Sequence, residues 1–194
     1  MNVLVFDTET TGLPIWREPS DHPGQPYIVD IACDLWAGPG ELIEQYDAII
    51  NPGVEIPAEL AEIHGITTER AIAEGIPMAD ALDRFFDLVA RADLIVGHNV
   101  SFDIRMARIE AARHRGEKWD NPLPTFDTMR KSTNHCQILS AKPRHEKDWK
   151  WPNLGEAIRH FFNEDLENAH RARPDVDATA RIYFHLTAKE AIAA

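Results

Sequence analysis

Two acids, Asp7 and Glu9, sit in Phe6-Asp7-Thr8-Glu9-Thr10-Thr11-Gly12, at the end of an apolar run over residues 3–6. On a strand, residues two apart point the same way, so these carboxylates project together, about 7 Å apart along the chain. There they repel each other and lose hydration, and a hard divalent cation between them reverses both effects. A solvated strand end would show the same residues, so this pair alone decides little. A second apolar run, residues 94–97, leads into His98-Asn99-Val100-Ser101-Phe102-Asp103. It delivers Asp103 into the first turn of a helix, where the macrodipole favours negative charge. Near the C-terminus, His170-Arg171-Ala172-Arg173-Pro174-Asp175 sets a histidine five residues before an acid that opens another helix. Each piece has an ordinary reading as a helix-start acid or a surface histidine. Their joint occurrence, in this order, is far more specific.

The elements that must position these residues are legible in outline. Residues 3–6 suit a strand buried on both faces. Residues 14–27 hold four prolines and a glycine and read as a loop. Residues 28–36 and 41–50 read as strands of a hairpin joined through Ala37-Gly38-Pro39-Gly40. Short helices are expected over 57–64, stopped by Gly65, and from a Thr67 or Thr68 cap to residue 74. Pro77 opens a longer helix carrying Met78, Leu82, Phe85, Phe86 and Val89 at helical spacing. Residues 94–97 form the next buried strand, 101 to about 115 a helix, and 123–126 a short third core strand. Residues 131–152 are polar and irregular, and helices over 154–162 and 175–191 complete an α/β sheet packed with helices. No repeat or internal boundary interrupts residues 1–194, which read as one domain.

The ordered set Asp-x-Glu, Asn-x-x-Phe-Asp and His-x4-Asp resembles the three motifs of the DEDDh 3′–5′ exonucleases, typified by the proofreading epsilon subunit of bacterial DNA polymerase III. The resemblance runs from Phe6 to Asp175 and includes Ile63-His64-Gly65-Ile66-Thr67 between the first two motifs. It implies an RNase H-like mixed sheet flanked by helices. On it, Asp7, Glu9, Asp103 and Asp175 gather two Mg²⁺ ions (Mn²⁺ substituting), with His170 as general base. Elementary chemistry agrees. Two cations roughly 4 Å apart can clamp the attacking and leaving oxygens of a phosphodiester. Carboxylates suit hard ions, and an imidazole with an unperturbed pKa of about 6.5 can take a proton from water. The same resemblance has Thr10, Thr11, Gly12 and Leu13 line the 3′-terminal nucleotide, Leu13 pressing on its base, with His64, Ile66, Asn99 and Phe102 as secondary contacts. Phe102 reads equally as a core aromatic or a stacking one. His98 reads as structural, and the remaining six histidines belong to no motif.

What this implies is a metal-dependent enzyme that removes nucleoside 5′-monophosphates from the 3′ end of single-stranded or frayed DNA, free-standing or with a DNA polymerase. An RNA-directed trimmer of the oligoribonuclease or RNase T kind shares every catalytic residue. A non-catalytic module on the same fold would have lost an acid or the histidine, and none is missing. There is no Gly-x-Ser-x-Gly, P-loop, His-Glu-x-x-His or dinucleotide-binding glycine motif.

Composition supplies the remaining bounds. With 44% hydrophobic and 27% charged residues, the chain is neither disordered nor fibrous. A net charge of −12 argues against a broad nucleic-acid-coating surface. That charge is uneven: −15 over residues 1–103, +5 over 104–150 and −2 over 151–194. The basic middle holds Arg105, Arg108, Arg113 and Arg115 on one helix, readable as a phosphate track or as a solvated face. It also holds Lys142-Pro143-Arg144-His145-Glu146-Lys147-Asp148-Trp149-Lys150-Trp151, readable as a single-strand platform or as a loop folded onto the core. Two cysteines, Cys33 and Cys136, offer neither a disulfide framework nor zinc spacing. No leader or membrane span appears, which predicts a soluble cytoplasmic protein. The long loop 14–27, with Trp16 and Arg17, departs from shorter family members and reads as a gate or a docking element.

Overall fold

A computed structural model describes residues 1–116, 118–167 and 169–193, with side chains through residue 188. The central strand is β1 (Val3–Thr10), whose residues 3–6 are fully buried as the apolar run requires. It pairs antiparallel with β2 (Ile28–Gly38), which turns back into β3 (Glu41–Asn51). On its other side β1 pairs parallel with β5 (Leu94–Gly97), which in turn pairs parallel with β6 (Thr125–Asp127). A two-residue strand, β4 (Ile76–Pro77), lies parallel against the end of β3. The sheet order is therefore β4-β3-β2-β1-β5-β6.

Alternation along β1 divides the core. Leu4 and Phe6 face α3 (Met78–Arg91) and α4 (Val100–Arg115), packing with Leu82, Phe85, Leu88, Met106 and Ile109. Val3 and Val5 face the opposite way, onto Ala172, Val176, Ala180 and Tyr183 of α7 (Ala172–Ala193). Asp7 and Glu9 continue that second row beyond the apolar core. The strand carries both to the mouth between the sheet and the start of α7. The register of β1 on β2 shifts between Glu9 and Thr10, a local irregularity of the kind that re-aims a strand end.

The remaining helices buttress this frame. α1 (Ala58–His64) and α2 (Thr68–Glu74) close the start of β2 around Val29, Ile56, Ile66 and Ala71. α6 (Leu154–Phe162) opens with a capping box between Asn153 and Glu156, and packs Ala157 and Ile158 on Ala178, Ile182 and Leu186 of α7.

Three boundaries differ from the sequence reading. Residues 128–136, largely within the stretch read as irregular, form helix α5 (Thr128–Cys136). Its composition is too polar to show an apolar stripe. It starts because the Asp127 carboxylate accepts the amides of Met129 and Arg130 at 3.0 and 3.3 Å. The third core strand is shifted to residues 125–127. Helix α7 begins at Ala172, three residues before Asp175, since Pro174 sits in its first turn where no amide is needed. Among the described residues, no helix is long and apolar enough to cross a membrane.

Phe85 is fully buried, with ring centroids 5.1 Å from Phe6, 5.4 Å from Phe86 and 5.8 Å from Trp119. Phe85→Ala is expected to cost about 3–5 kcal/mol of stability, read as a shifted midpoint in urea unfolding.

Candidate active site

Three chain segments converge at the end of β1. β1 itself supplies Asp7 and Glu9, on the same face of the sheet. The turn from β5 into α4 supplies Asp103. Asn99 takes a left-handed conformation (φ 70°), with its amide donating to Asp127 Oδ1 at 3.1 Å. This folds the chain so that Asp103 falls in the first turn of α4 and points back at β1. Thr8 locks it there, its amide and hydroxyl donating to Asp103 Oδ1 at 3.0 and 2.8 Å. The third segment supplies His170 and Asp175. His170 is also left-handed (φ 66°) and exposed, at the turn into α7. One ligand-capable atom each from Glu9, His170 and Asp175 lies within 4.8 Å of the others. The four acids and the histidine picked out by spacing are thus brought to one place.

The electrostatics follow from that crowding. Burial, followed by the charges of Asp103, Asp175, Glu9 and Asp30, pushes the Asp7 carboxyl well above its ordinary range. Burial raises Glu9 to about 8, with Asp175 and Asp103 adding repulsion. It also raises Asp103 to about 7 against the opposing hydrogen bonds from Thr8, and Asp175 to about 6. A group of acids that resists ionisation so strongly is suited to a positive ion. Asp175 Oδ1 carries the same message, being buried without a hydrogen-bond partner. An all-carboxylate donor set with one imidazole fits a hard divalent cation, and the buried Cys33 thiol lies on β2 with its own ionisation suppressed by burial.

Two ion pairs escaped the sequence reading, although they hold the site together. Asp30 on β2 lies directly opposite Glu9. Its Oδ2 accepts from Arg171 Nε at 2.7 Å and from the Ala172 amide at 3.2 Å. Four residues along β2, Asp34 accepts a fork from Arg173 at 2.7 and 2.8 Å, and Arg173 also reaches Asp177 at 2.7 Å. These pairs fasten the N-terminus of α7 to the sheet, with His170 and Asp175 on either side of the attachment. The signal was present as two acids four apart in an apolar strand and two arginines between the third-motif residues. Nothing local matches one to the other.

The expected substrate contacts separate into distinct groups. Leu13 is 80% exposed. The Thr10 hydroxyl donates to Gly12 O at 2.7 Å, and Thr11 Oγ1 accepts the Tyr27 amide at 2.9 Å, so both threonines shape the turn that presents Leu13. His64 is 2% exposed, with Nδ1 accepting the Ile66 amide at 3.2 Å and Nε2 unpartnered. Burial, then the nearby charges of Arg171 and His170, lower its pKa, which places a neutral imidazole beside the site. Asn99 stands at the head of α4, its Oδ1 accepting from Ser101 at 3.3 Å. Phe102 is half-buried against the main core, consistent with both of its readings. Ile66 is a correction: it is fully buried with Val29, Ile56 and Ala71, and has no surface to offer a substrate.

The α4 arginines do not form a phosphate track. Arg105 donates to Ser20 Oγ and Glu18 O at 2.9 and 2.6 Å, Arg108 pairs with Asp120 at 2.6 Å, Arg113 with Glu110 at 2.7 Å and Arg115 with Asp83. In the aromatic segment, Trp149 is half-buried in a bridge with Leu139. Trp151 is 57% exposed, with the Arg130 guanidinium 5.2 Å above its ring. His98 is structural as expected, spanning Thr128 Oγ1 at 2.9 Å and Pro152 O at 3.0 Å.

A six-stranded mixed sheet, helices on both faces, and acids gathered at the end of its central strand define an RNase H-like fold. Sequence comparison narrows that class: the chain belongs to the RNase_T exonuclease family, which it matches over residues 4–183. A PolC-type DNA polymerase III of Streptococcus pyogenes serotype M2 is 29% identical over 181 residues, 93% of this chain. The chain spans only 11% of that polymerase's length. Among solved structures, the fold is similar to E. coli exonuclease I in complex with a dT13 oligonucleotide (TM-score 0.74, 20% identity, 96% of this chain and 41% of that one). It is also similar to exonuclease X in complex with 5′ overhanging duplex DNA (TM-score 0.64, 20% identity, 96% and 92%).

Carboxyls whose folded pKa lies above the unfolded value take up protons on folding. Without metal, Glu9, Asp103 and Asp175 therefore cost stability as pH rises toward about 8. Burial keeps His64 and His98 neutral, which works in the opposite sense, chiefly below about pH 6.5 where the unfolded chain gains charge. Thermal unfolding in chelator is expected to show a higher midpoint at about pH 6.5 than at about pH 8.5, and Asp7→Asn to shrink that difference. A midpoint that is flat across the window contradicts the crowding.

Proposed function

We propose that residues 1–194 act as a single 3′–5′ exonuclease domain, removing nucleoside 5′-monophosphates from single-stranded or frayed DNA. The observation that carries this reading is the convergence of Glu9, His170 and Asp175 within 4.8 Å, beside Asp7 and the Thr8-locked Asp103. Asp7, Glu9, Asp103 and Asp175 would hold two Mg²⁺ ions, for which Mn²⁺ substitutes. Bound there, such ions supply charge neutralisation at the phosphodiester and activation of water.

The chain's own groups do the rest. His170 is exposed at the mouth and takes the proton from the attacking water. Its left-handed backbone and the neighbouring Arg171–Asp30 pair fix where the ring emerges. Thr8 keeps Asp103 ionisable against the desolvation that raises it. The Thr10–Leu13 turn presents Leu13 to the terminal base, with the neutral His64, Asn99 and Phe102 at the sides. The likeness to part of a PolC-type polymerase supports proofreading as the setting, with a DNA polymerase as partner. Two free thiols fit the reducing cytoplasm.

The test is a panel of matched DNA and RNA oligonucleotides, 5′-labelled, with free or phosphate-blocked 3′ ends, with Mg²⁺ or chelator. A ladder shortening from the free 3′ end, faster on DNA and abolished by chelator, is expected. His170→Ala should slow turnover by about 10²–10⁴-fold, and Asp7→Ala at least as much, both while staying folded. Wild-type rates in these variants would remove the assigned chemistry. Preferential loss of RNA would transfer the reading to an exoribonuclease.

A further inference from the structure

The loop at residues 14–27 belongs to no catalytic motif, yet it is built with unusual care. Gln25 is 1% exposed and spends its side chain on the loop itself. Its Oε1 accepts the Ile15 amide at 2.9 Å, and its Nε2 donates to Ile15 O and Pro19 O, both at 3.0 Å. From the side, Arg105 of α4 donates to Ser20 Oγ and Glu18 O. At the base, Arg113 donates to Gln25 O at 2.9 Å and Pro26 O at 3.1 Å, with its guanidinium 3.6 Å above the Tyr27 ring. Ordering a surface loop costs conformational entropy at every residue, so this internal framework must hold something in place.

What it holds is an exposed indole. Trp16 is 59% exposed, beside Leu13 at 80% and Ile15 at 40%. Trp36 packs on Phe184, and Trp119 on Phe85 and Phe86. Among the described residues, Trp16 has neither a ring nor a cation against it, and the exposed Arg17 next to it forms no ion pair. Two residues, Pro14 and Ile15, separate Trp16 from Leu13, which keeps the two positions within about 11 Å. Glu18 and Asp21 lie in the same loop, so charge alone would not draw a polyanion here. A flat aromatic surface with one free cation suits a base and its adjoining phosphate.

We propose that Trp16 is a stacking subsite for a base upstream of the 3′-terminal nucleotide, with Arg17 on the phosphate beside it. The occupant is single-stranded nucleic acid, continuous with the terminal nucleotide at Leu13; this rests on the exonuclease reading above. Pre-ordering of the loop lets a single ring contribute without a further ordering cost. Substrate length, rather than terminal-base chemistry, is what the subsite senses.

Two substrates separate the roles. A dT10 oligonucleotide reaches past the terminal site, whereas the p-nitrophenyl ester of thymidine 5′-monophosphate fills that site alone. Trp16→Ala is expected to raise KM for dT10 on the order of tenfold with kcat held, to move the ester's KM less than about twofold, and Trp16→Phe to restore most of the loss. Fluorescence anisotropy with 5′-labelled dT10 in chelator should show the same order of weakening for Trp16→Ala and recovery for Trp16→Phe. Unchanged dT10 parameters overturn the subsite and leave the loop as a surface for a protein partner. Equal losses on both substrates overturn it in favour of a purely structural loop. If the wild type binds dT10 but cleaves neither substrate, the hydrolytic reading fails, and the anisotropy series still decides Trp16.

Discussion

Four carboxylates forced together out of water are the constraint around which this molecule is arranged. Asp7 and Glu9 come from one strand and cannot separate, because alternation sends both to the same face. Asp103 and Asp175 arrive from the starts of two different helices. Burial opposes the charged form of each, and at Asp7 and Glu9 the neighbouring acids oppose it further. Without some external restraint, the cheapest relief would be to move a helix start outward. The structure blocks that motion on both sides: Thr8 grips Asp103 from the strand between the two acids, and α7 is fastened through Arg171 and Arg173.

Those fastenings show how like charges can be held close without neutralising them. Asp30 and Asp34 are themselves buried acids, still raised by desolvation although their arginines pull them down. A buried ion pair is weak evidence for net stability, since desolvation offsets much of the attraction. Its value here is positional. The Arg171 guanidinium lies on Asp30, directly across the sheet from Glu9, and its charge slightly eases the ionisation of Glu9. The same cation helps keep His64 neutral. One arginine therefore fixes the helix, tempers a carboxylate and adds to the burial that keeps an imidazole neutral.

The parts of this arrangement visible in the sequence are those governed by local rules. Strand alternation set Asp7 and Glu9 on one face, helix starts placed Asp103 and Asp175, and the ordered motif set, by its family resemblance, joined them with His170. Most of the parts that stayed hidden depend on contacts between distant residues. Asp30–Arg171 and Asp34–Arg173 span some 140 positions, and no spacing rule connects them. Helix α5 lacked an apolar stripe and is set by a single carboxylate cap, so periodicity could not reveal it. Ile66 sat in a motif-like stretch but is claimed by the α1–α2 core. Thr10 and Thr11, which the family resemblance sets at the 3′-terminal nucleotide, also bond within the turn they sit in. In each case the fold, and not the residue type alone, decides among the roles a side chain could take.

Net charge changes meaning for the same reason. By count alone, the +5 stretch over residues 104–150 offers phosphates a landing place in a chain of −12. In the folded protein, Arg108, Arg113, Arg115, Arg144 and Lys150 are each paired with an acid, and Arg105 is committed to the loop over residues 14–27. With these six cations committed to protein partners, the stretch offers less to a broad groove of the kind that releases many counterions than its count suggests. An enzyme of the proposed kind would then draw its grip on nucleic acid from the terminal nucleotide, the ions held by its four acids, and exposed rings such as Trp16 and Trp151. That combination favours hold at a chain end over hold along a strand. The acid cluster whose buried charges oppose one another would also be what confines such an enzyme to one place.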